Sequence, residues 1–322
     1  MTKISDFRGV ALVQRGAEDL VAVAGGTTGG DPDTACGPGT RFQVASVSKS
    51  FAAAAVLRLA DQGALSVDDP VGRWLADCPA AWDAITVHHL LSHTSGLVHW
   101  DGLTGLDTSV PIPAGEILRV FRAADLLSAP GTRFFYSSPG FALLGHIVER
   151  ASGQPYASFL AREFFGPAGM TATFAGNGTG LPGLAVGHVA GEPVPSFDLD
   201  GFGTGAGDIW STPGDLARWD RALAAGEVLG EAALATMLTV RTPIEDDDGV
   251  IRTEGYGYGW YLGSARGGHR MVYHTGDNPG FRSINAWFPD DDVRAIMLTN
   301  EDTTDVGTIV HQLISAAFPA AG

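Results

Sequence analysis

The sequence predicts an α/β (α+β) fold: an antiparallel sheet built from the N- and C-terminal segments, flanked by helices, with a mostly helical region inserted between them. Three observations point there. Short β-rich runs joined by turn residues stand at the start of the chain. Period-two patterning returns over about the last eighty residues. Between them lie runs with helical spacing, separated by Gly- and Pro-rich loops. The implied division is 1–65 plus 242–322 as an α/β domain and 66–241 as an inserted, mainly helical domain, with the active site between the two.

Taken in order, Phe7–Gln14 and Leu20–Ala24 read as two strands joined through Arg15-Gly16-Ala17, a hairpin. Gly25 to Gly39 is rich in Gly, Pro and Asp and reads as loop. Ser48–Gln62 is apolar and Ala-rich and is closed by Gly63, which predicts a buried helix. The middle of the chain, from Val67 to about Arg241, carries helical patterns at Ile117–Leu127, Phe141–Ala151, Tyr156–Phe165 and Pro213–Leu223. Tyr256–Leu262, Arg270–His274, Arg282–Phe288 and Val293–Thr299 then read as a four-strand antiparallel meander linked by GSARGG, TGDNPG and PDDD. A helix from about Val306 to Phe318 ends the chain.

Composition narrows the function. The chain has 322 residues, 45% of them apolar and 17% charged, enough for a sizeable core and unlike a disordered polyelectrolyte. Its net charge of −16 would be repelled by nucleic-acid phosphates and anionic lipid surfaces, so neither nucleic acid nor membrane is an expected partner. Two cysteines, Cys36 and Cys78, make no disulfide framework and read as free thiols. Val10–Val13 is too short for a signal-peptide core, and Arg58 interrupts the apolar run Phe51–Leu57; the expected location is cytoplasmic.

Of twenty basic residues, eighteen are Arg and two are Lys, namely Lys3 and Lys49. Arg serves wherever a plain positive charge is wanted, so Lys49 marks a place that needs an amine able to lose its proton. It stands in Ser46-Val47-Ser48-Lys49, directly before the apolar run. On a helix, Lys49 lies one turn below Ser46, and burial would lower its pKa. A neutral amine beside a hydroxyl is the arrangement a serine–lysine nucleophile uses. The helix start also offers the Ser46 backbone N–H to an oxyanion. S-x-x-K alone is equally a helix cap with an incidental lysine; partners elsewhere must convert it into a site.

Two candidates are present. Tyr136, in Tyr136-Ser137-Ser138, is a loop phenol able to share protons with nucleophile and leaving group. At His274-Thr275-Gly276 a strand ends in small and polar residues, which would expose the N–H of Asp277 as a second oxyanion donor.

These three pieces, in this order, resemble the serine β-lactamase and penicillin-binding-protein superfamily, for which S-x-x-K, S-D-N and K-T-G are the signature of one branch. The chain is more similar to the class C β-lactamase, D-alanyl-D-alanine carboxypeptidase and esterase branch, where a tyrosine stands in the second motif. LLSHTSGL, GTRFFYSSPGFALLG, GAGDIWSTPGDLARW, YGYGW and HTGDNPGFRS extend the likeness over nearly the whole chain. The resemblance implies a β-lactamase-like fold, Ser46 as acylated nucleophile, Lys49 as its base, Tyr136 as proton relay, and His274, Thr275 and Gly276 lining the strand side of the pocket. Two departures matter. Ser138 stands where the second motif commonly ends in Asn, and His274 where β-lactamases usually have Lys. A hydroxyl cannot donate and accept as an amide does, and a neutral imidazole pulls weakly on a substrate carboxylate. Both shift the expectation from a β-lactamase or carboxypeptidase proper toward an esterase or D-amino-acid peptidase or amidase.

The remaining features carry less. His89 and His93 in HHLLSH have the i, i+4 spacing of a metal pair but lack the glutamate of a zinc hydrolase; no metal and no cofactor are expected. The glycines of 201–207 form neither G-x-G-x-x-G nor a P-loop, and G-x-S-x-G is absent. Asp246–Asp248 and Asp290–Asp292 read as solvated turn residues, and the Asp277 carboxylate as an attractor for a substrate ammonium. The expected function is a serine acyl-hydrolase acting through an acyl-enzyme on a small ester, amide or short peptide. The rival is a catalytically silent ligand-binding protein on the same scaffold.

Overall fold

The computed structural model describes residues 7–103, 114–178, 180–194 and 203–319. Lys3 and Gly201 therefore lie outside the described residues. In chain order the elements are β1 (Gly9–Arg15), β2 (Glu18–Gly25), β3 (Phe42–Gln43), α1 (Ser48–Asp61), α2 (Val87–Leu91), α3 (Ala114–Ala123), α4 (Ser138–Ser152), α5 (Tyr156–Leu160), β4 (Phe174–Ala175), β5 (His188–Val189), β6 (Glu192–Pro193), β7 (Ile209–Ser211), α6 (Pro213–Ala224), α7 (Glu231–Met237), β8 (Thr242–Asp247), β9 (Ile251–Tyr256), β10 (Tyr261–Ala265), β11 (His269–Asn278), β12 (Phe281–Phe288), β13 (Val293–Thr299) and α8 (Val306–Ala317).

The main sheet has eight strands in the order β2-β1-β13-β12-β11-β10-β9-β8, every neighbouring pair antiparallel. Its centre is buried on both faces, which is why β1 reads as the unbroken apolar run Val10–Val13. Val10 and Leu12 face the core shared with α1 and α6, while Ala11 and Val13 face the smaller core under α8. The period of two thus sorts one strand between two cores.

Helix α1 is buried along nearly its whole length, from Ser48 to Leu57. A helix enclosed all round needs no polar face, and four consecutive alanines, Ala52–Ala55, let α4 and α7 approach it closely. Phe51 anchors it, stacked on Trp219 of α6 with ring centroids 4.0 Å apart and meeting Phe165 edge-on at 5.7 Å. Burying that ring stabilises the fold by about 1.5–3 kcal/mol.

The hairpin, α1, α4, α6 and α8 lie close to where the sequence predicts them. Elsewhere the structure differs. The run Tyr256–Leu262 is not one strand: β9 ends at Tyr256, a turn bonds the Gly257 N–H to the Trp260 carbonyl, and β10 starts at Tyr261. Gly259 sits in this turn at φ +74° against the Lys49 backbone, where a Cβ would lie 2.6 Å from that carbonyl oxygen. No side chain fits. In the main sheet β8 and β9 were not foreseen, because the outer residues of β8 are acidic and charged Arg252 and Glu254 interrupt β9. Asp246 and Asp247 belong to the exposed edge strand β8 rather than to a turn, and that row of carboxylates discourages pairing with another sheet. The segment TGDN is not a linker either, since β11 runs through it to Asn278. The pattern Ile117–Leu127 ends as a helix at Ala123, because the chain turns back to bond the Leu127 N–H to the Gly96 carbonyl. Tyr156–Phe165 splits into α5 and a π-helical turn, 161–165. Asp290–Asp292 do form the β12–β13 turn, paired with Arg270, His269 and Arg294.

Cys36 and Cys78 are free thiols. Among the described residues no helix is long and apolar enough to cross a membrane.

Candidate active site

Ser46 lies in a 3₁₀ turn, 45–47, that leads directly into α1. The residue before it, Ala45, has φ +48°, a left-handed conformation that costs a non-glycine residue on the order of 1 kcal/mol. The surroundings hold it there. Ser46 is the partly exposed member of an otherwise buried stretch, 42–50, so the strained turn pushes one hydroxyl into the open.

Lys49 is fully buried. Its Nζ lies 2.8 Å from Ser46 Oγ, 3.0 Å from Ser138 Oγ and 2.8 Å from the Ala206 carbonyl oxygen. These three contacts exhaust a tetrahedral nitrogen, and none of them is a carboxylate. Loss of hydration drives its pKa well below that of an ordinary lysine. A neutral amine suits the geometry: its two N–H bonds reach Ser138 and Ala206, and its lone pair accepts the Ser46 O–H.

The Tyr136 hydroxyl bonds to Ser46 and Ser138, and its ring lies 5.0 Å beneath the Lys49 nitrogen. Burial raises its pKa far above that of a free phenol, and the two hydroxyl contacts offset this in part. Ser137 caps α4, accepting from the Gly140 N–H and donating to the Val98 carbonyl. Ser138, the next residue, is thereby aimed at Lys49.

On the other wall, β11 overruns its neighbour. β10 pairs with β11 only at His269–Tyr273, so residues 274–278 have β12 on one side and the open site on the other. Gly276 makes this possible. An added Cβ would lie 2.4 Å from the Val44 carbonyl oxygen and 3.0 Å from the Ala45 Cβ. His274 is buried; its Nδ1–H donates to the Thr275 carbonyl at 2.6 Å and its Nε2 accepts from Tyr256 at 3.1 Å. Burial, the largest cause, pushes its pKa down to about 3, so the ring is neutral. Thr275 is exposed at the pocket wall. The Asp277 carboxylate is paired with Arg282 across the strand pair, so the ammonium attractor expected from sequence already holds a cation of the chain.

Ser46, Tyr136, Ser138, His274, Thr275 and Asp277 line one cavity of about 380 Å³, with Lys49 buried behind Ser46 and Gly276 packed against Val44. Sequence reasoning missed several of its walls: His99, Trp100, Ala206, Tyr261 and Asn278. Asn278 donates to Gln43 and to the Gly207 carbonyl, fastening β11 to the glycine loop. That loop, dismissed as a nucleotide motif, bends at Gly205 (φ +77°) and presents the Ala206 carbonyl to Lys49. No lysine or arginine other than Lys49 bears on the described lining, so the wall offers a substrate carboxylate no free cation.

The histidines of HHLLSH separate. His88 bonds Tyr258, His89 closes a capping box with Thr86, and His93 is buried beside Tyr136. Among the described residues no group of three or more His, Cys, Asp or Glu is placed to hold a metal ion.

A sheet flanked by helices, with serine, lysine and tyrosine converging at a helix start beside an open strand, defines the class: the β-lactamase and penicillin-binding-protein superfamily. The comparisons agree. The family model described as Beta-lactamase matches residues 2–316, and the chain belongs to that family. It is 30% identical over 282 residues to Penicillin-binding protein 4* of Bacillus subtilis (strain 168), covering 81% of this chain and 61% of that protein. It is 38% identical over 177 residues to Esterase EstB of Burkholderia gladioli, covering 50% of this chain and 45% of that one. The chain thus spans less than two thirds of either relative. The crystal structure of a D-amino acid amidase from Ochrobactrum anthropi SV3 is similar with a TM-score of 0.82, at 26% identity over 96% of each chain.

Proposed function

We propose that the protein hydrolyses a small ester or amide through a covalent acyl-enzyme. Ser46 Oγ attacks the carbonyl carbon while Lys49 Nζ takes its proton. The backbone N–H groups of Ser46 and Asp277 hold the oxyanion. Tyr136 passes the proton to the leaving group as the carbonyl bond to it breaks. In the second half-reaction water attacks the ester carbon of acyl-Ser46 and gives up a proton to the same Lys49–Tyr136 pair, and the Ser46 hydroxyl re-forms. The observation that carries this reading is a fully buried lysine amine, with no carboxylate among its described partners, 2.8 Å from the partly exposed Ser46 hydroxyl at the pocket.

The substrate class follows from charge. Lys49 and His274 are both held toward their neutral forms, and Asp277 occupies Arg282. A substrate bearing a carboxylate beside the scissile bond, as β-lactams and D-Ala-D-Ala peptides do, meets no free countercharge among the described lining residues. Esters and amides without such a carboxylate, including those of D-amino acids, are favoured. The likeness to an esterase and a D-amino acid amidase supports this reading.

The test is incubation with a fluorophosphonate, read by intact-mass spectrometry, beside turnover of p-nitrophenyl esters, D-amino-acid amides, nitrocefin and D-Ala-D-Ala. A stable mass increase absent from Ser46→Ala is expected, with esters or amides turned over faster than nitrocefin. No adduct in the wild-type chain would overturn the proposal and leave a silent ligand-binding protein.

A further inference from the structure

We infer that His93 and His99 are positioning residues that hold the Tyr136–Ser138 segment in register with Ser46 and Lys49, each by accepting one of two consecutive backbone N–H groups. This rests on the function proposed above but stands on separate geometry.

The start of a helix leaves its first N–H groups without helical partners. At α4 these groups are buried, and water cannot satisfy them. The accounting closes on side chains. The Gly140 N–H goes to Ser137 Oγ, and Pro139 has none. The Ser137 N–H donates to His93 Nδ1 at 3.0 Å, and the Ser138 N–H donates to His99 Nδ1 at 3.1 Å. His93 holds the other end as well, because its own carbonyl accepts the Phe135 N–H at 2.8 Å. Tyr136 is therefore bracketed: the residues before and after it are both fastened to His93. The His93 ring also lies against the Tyr136 ring, with centroids 4.4 Å apart, and the His99 ring meets it at 5.5 Å.

An imidazole accepts through Nδ1 only as the neutral tautomer protonated at Nε2. A charged ring would set N–H against N–H. Both sites favour the neutral form, since burial lowers the basicity of both rings. His93 accepts two further costs. Its φ is +56°, and its buried Nε2 has no hydrogen-bond partner among the described residues, enclosed by the rings of Phe134, Tyr136, Phe141 and Tyr256. A residue kept for packing alone would need neither a strained backbone nor an orphaned nitrogen. His99 adds contact with the cavity itself, which it lines beside Trp100.

The test compares paired variants of the full chain. Asn places an acceptor oxygen at the position of Nδ1, whereas Leu and Phe fill space without one. His99→Leu is expected to lower kcat on a p-nitrophenyl ester about 100-fold, the loss that follows a misplacement of about 1 Å, with KM within threefold. His99→Asn should recover most of it, and His93→Phe and His93→Asn should repeat the contrast, with melting temperatures showing that each variant folds. Wild-type kcat in His99→Leu, or Asn no better than Leu, would overturn the inference. A second readout is independent of turnover. 15N spectra of the labelled histidines at pH 7 should show both rings neutral and protonated at Nε2. A ring protonated at Nδ1 overturns the inference even if the chain hydrolyses esters, whereas a wild-type chain that hydrolyses none refutes the proposed function alone.

Discussion

Gly276→Ala is the sharpest test of how β11 and the nucleophile turn fit together. Gly276 does not adopt a positive φ, so its role is the absence of a side chain rather than backbone freedom. A Cβ there would lie 2.4 Å from the Val44 carbonyl oxygen, where ordinary contact begins at 3.4 Å. The strand and the 44–46 turn must therefore part by about 1 Å. The same carbonyl accepts from Ser283 Oγ at 2.7 Å, so that bond is strained too. Overpacking of this kind costs about 1–3 kcal/mol of stability. The larger effect falls on catalysis. The two proposed oxyanion donors stand on opposite sides of this contact, and a 1 Å error in placement costs about 100-fold in rate. Steady-state kinetics on a p-nitrophenyl ester, with calorimetry in parallel, provides the assay. Gly72→Ala is the control, because a Cβ there meets nothing within 4 Å. Should Gly276→Ala keep kcat/KM within threefold of wild type while folding normally, the close approach has no part in the chemistry.

Three further outcomes follow from the buried groups. Lys49→Arg puts a permanently protonated group where the amine is neutral and cannot take up the serine proton, so serine acylation should fall about 1,000-fold in a burst assay; a loss under tenfold refutes Lys49 as base. The neutral amine is the active form and burial lowers its pKa, so activity should be lost as pH falls through that lowered value and should plateau well below pH 10; a rate still rising tenfold per pH unit at pH 10 contradicts it. Asp220, buried on α6 with Asn285 donating to it, has its pKa pushed up to about 7, chiefly by lost hydration. Between its unfolded pKa near ~3.9 and about 7 the native state binds the extra proton, so stability falls as pH rises through that window. Asp220→Asn should remove that decline, up to about 4 kcal/mol in total over the window, read as unfolding free energy against pH; an unchanged pH dependence sinks the assignment.

Much of this was legible in the residues. The Arg-to-Lys imbalance singled out Lys49 because a deprotonating amine is a chemical property, independent of where the chain goes. The both-face burial of β1 and the enclosed helix α1 were visible as continuous apolar runs, since burial on all sides removes the need for polar residues. Periodicity failed where function or an edge overrode it. β8 hid behind acidic residues, β9 behind the charged pair Arg252 and Glu254, and the strand through Thr275–Asn278 behind a Gly-Asp-Asn-Pro string that reads as a turn.

What the sequence determined by itself was the chemistry available: one serine, one lysine and one tyrosine in motifs of known spacing. What only the tertiary structure decided was which atoms meet. The Ala206 carbonyl reaches Lys49 across 157 positions, and His93 and His99 take up the N–H groups of Ser137 and Ser138 from about forty positions away. A hydrogen-bond acceptor for an orphaned helix N–H can come from any part of the chain that folding brings near, so no local pattern announces it. Desolvation has the same character: the amine of Lys49 is made basic or neutral by the walls closed around it, and those walls come from every region of the fold.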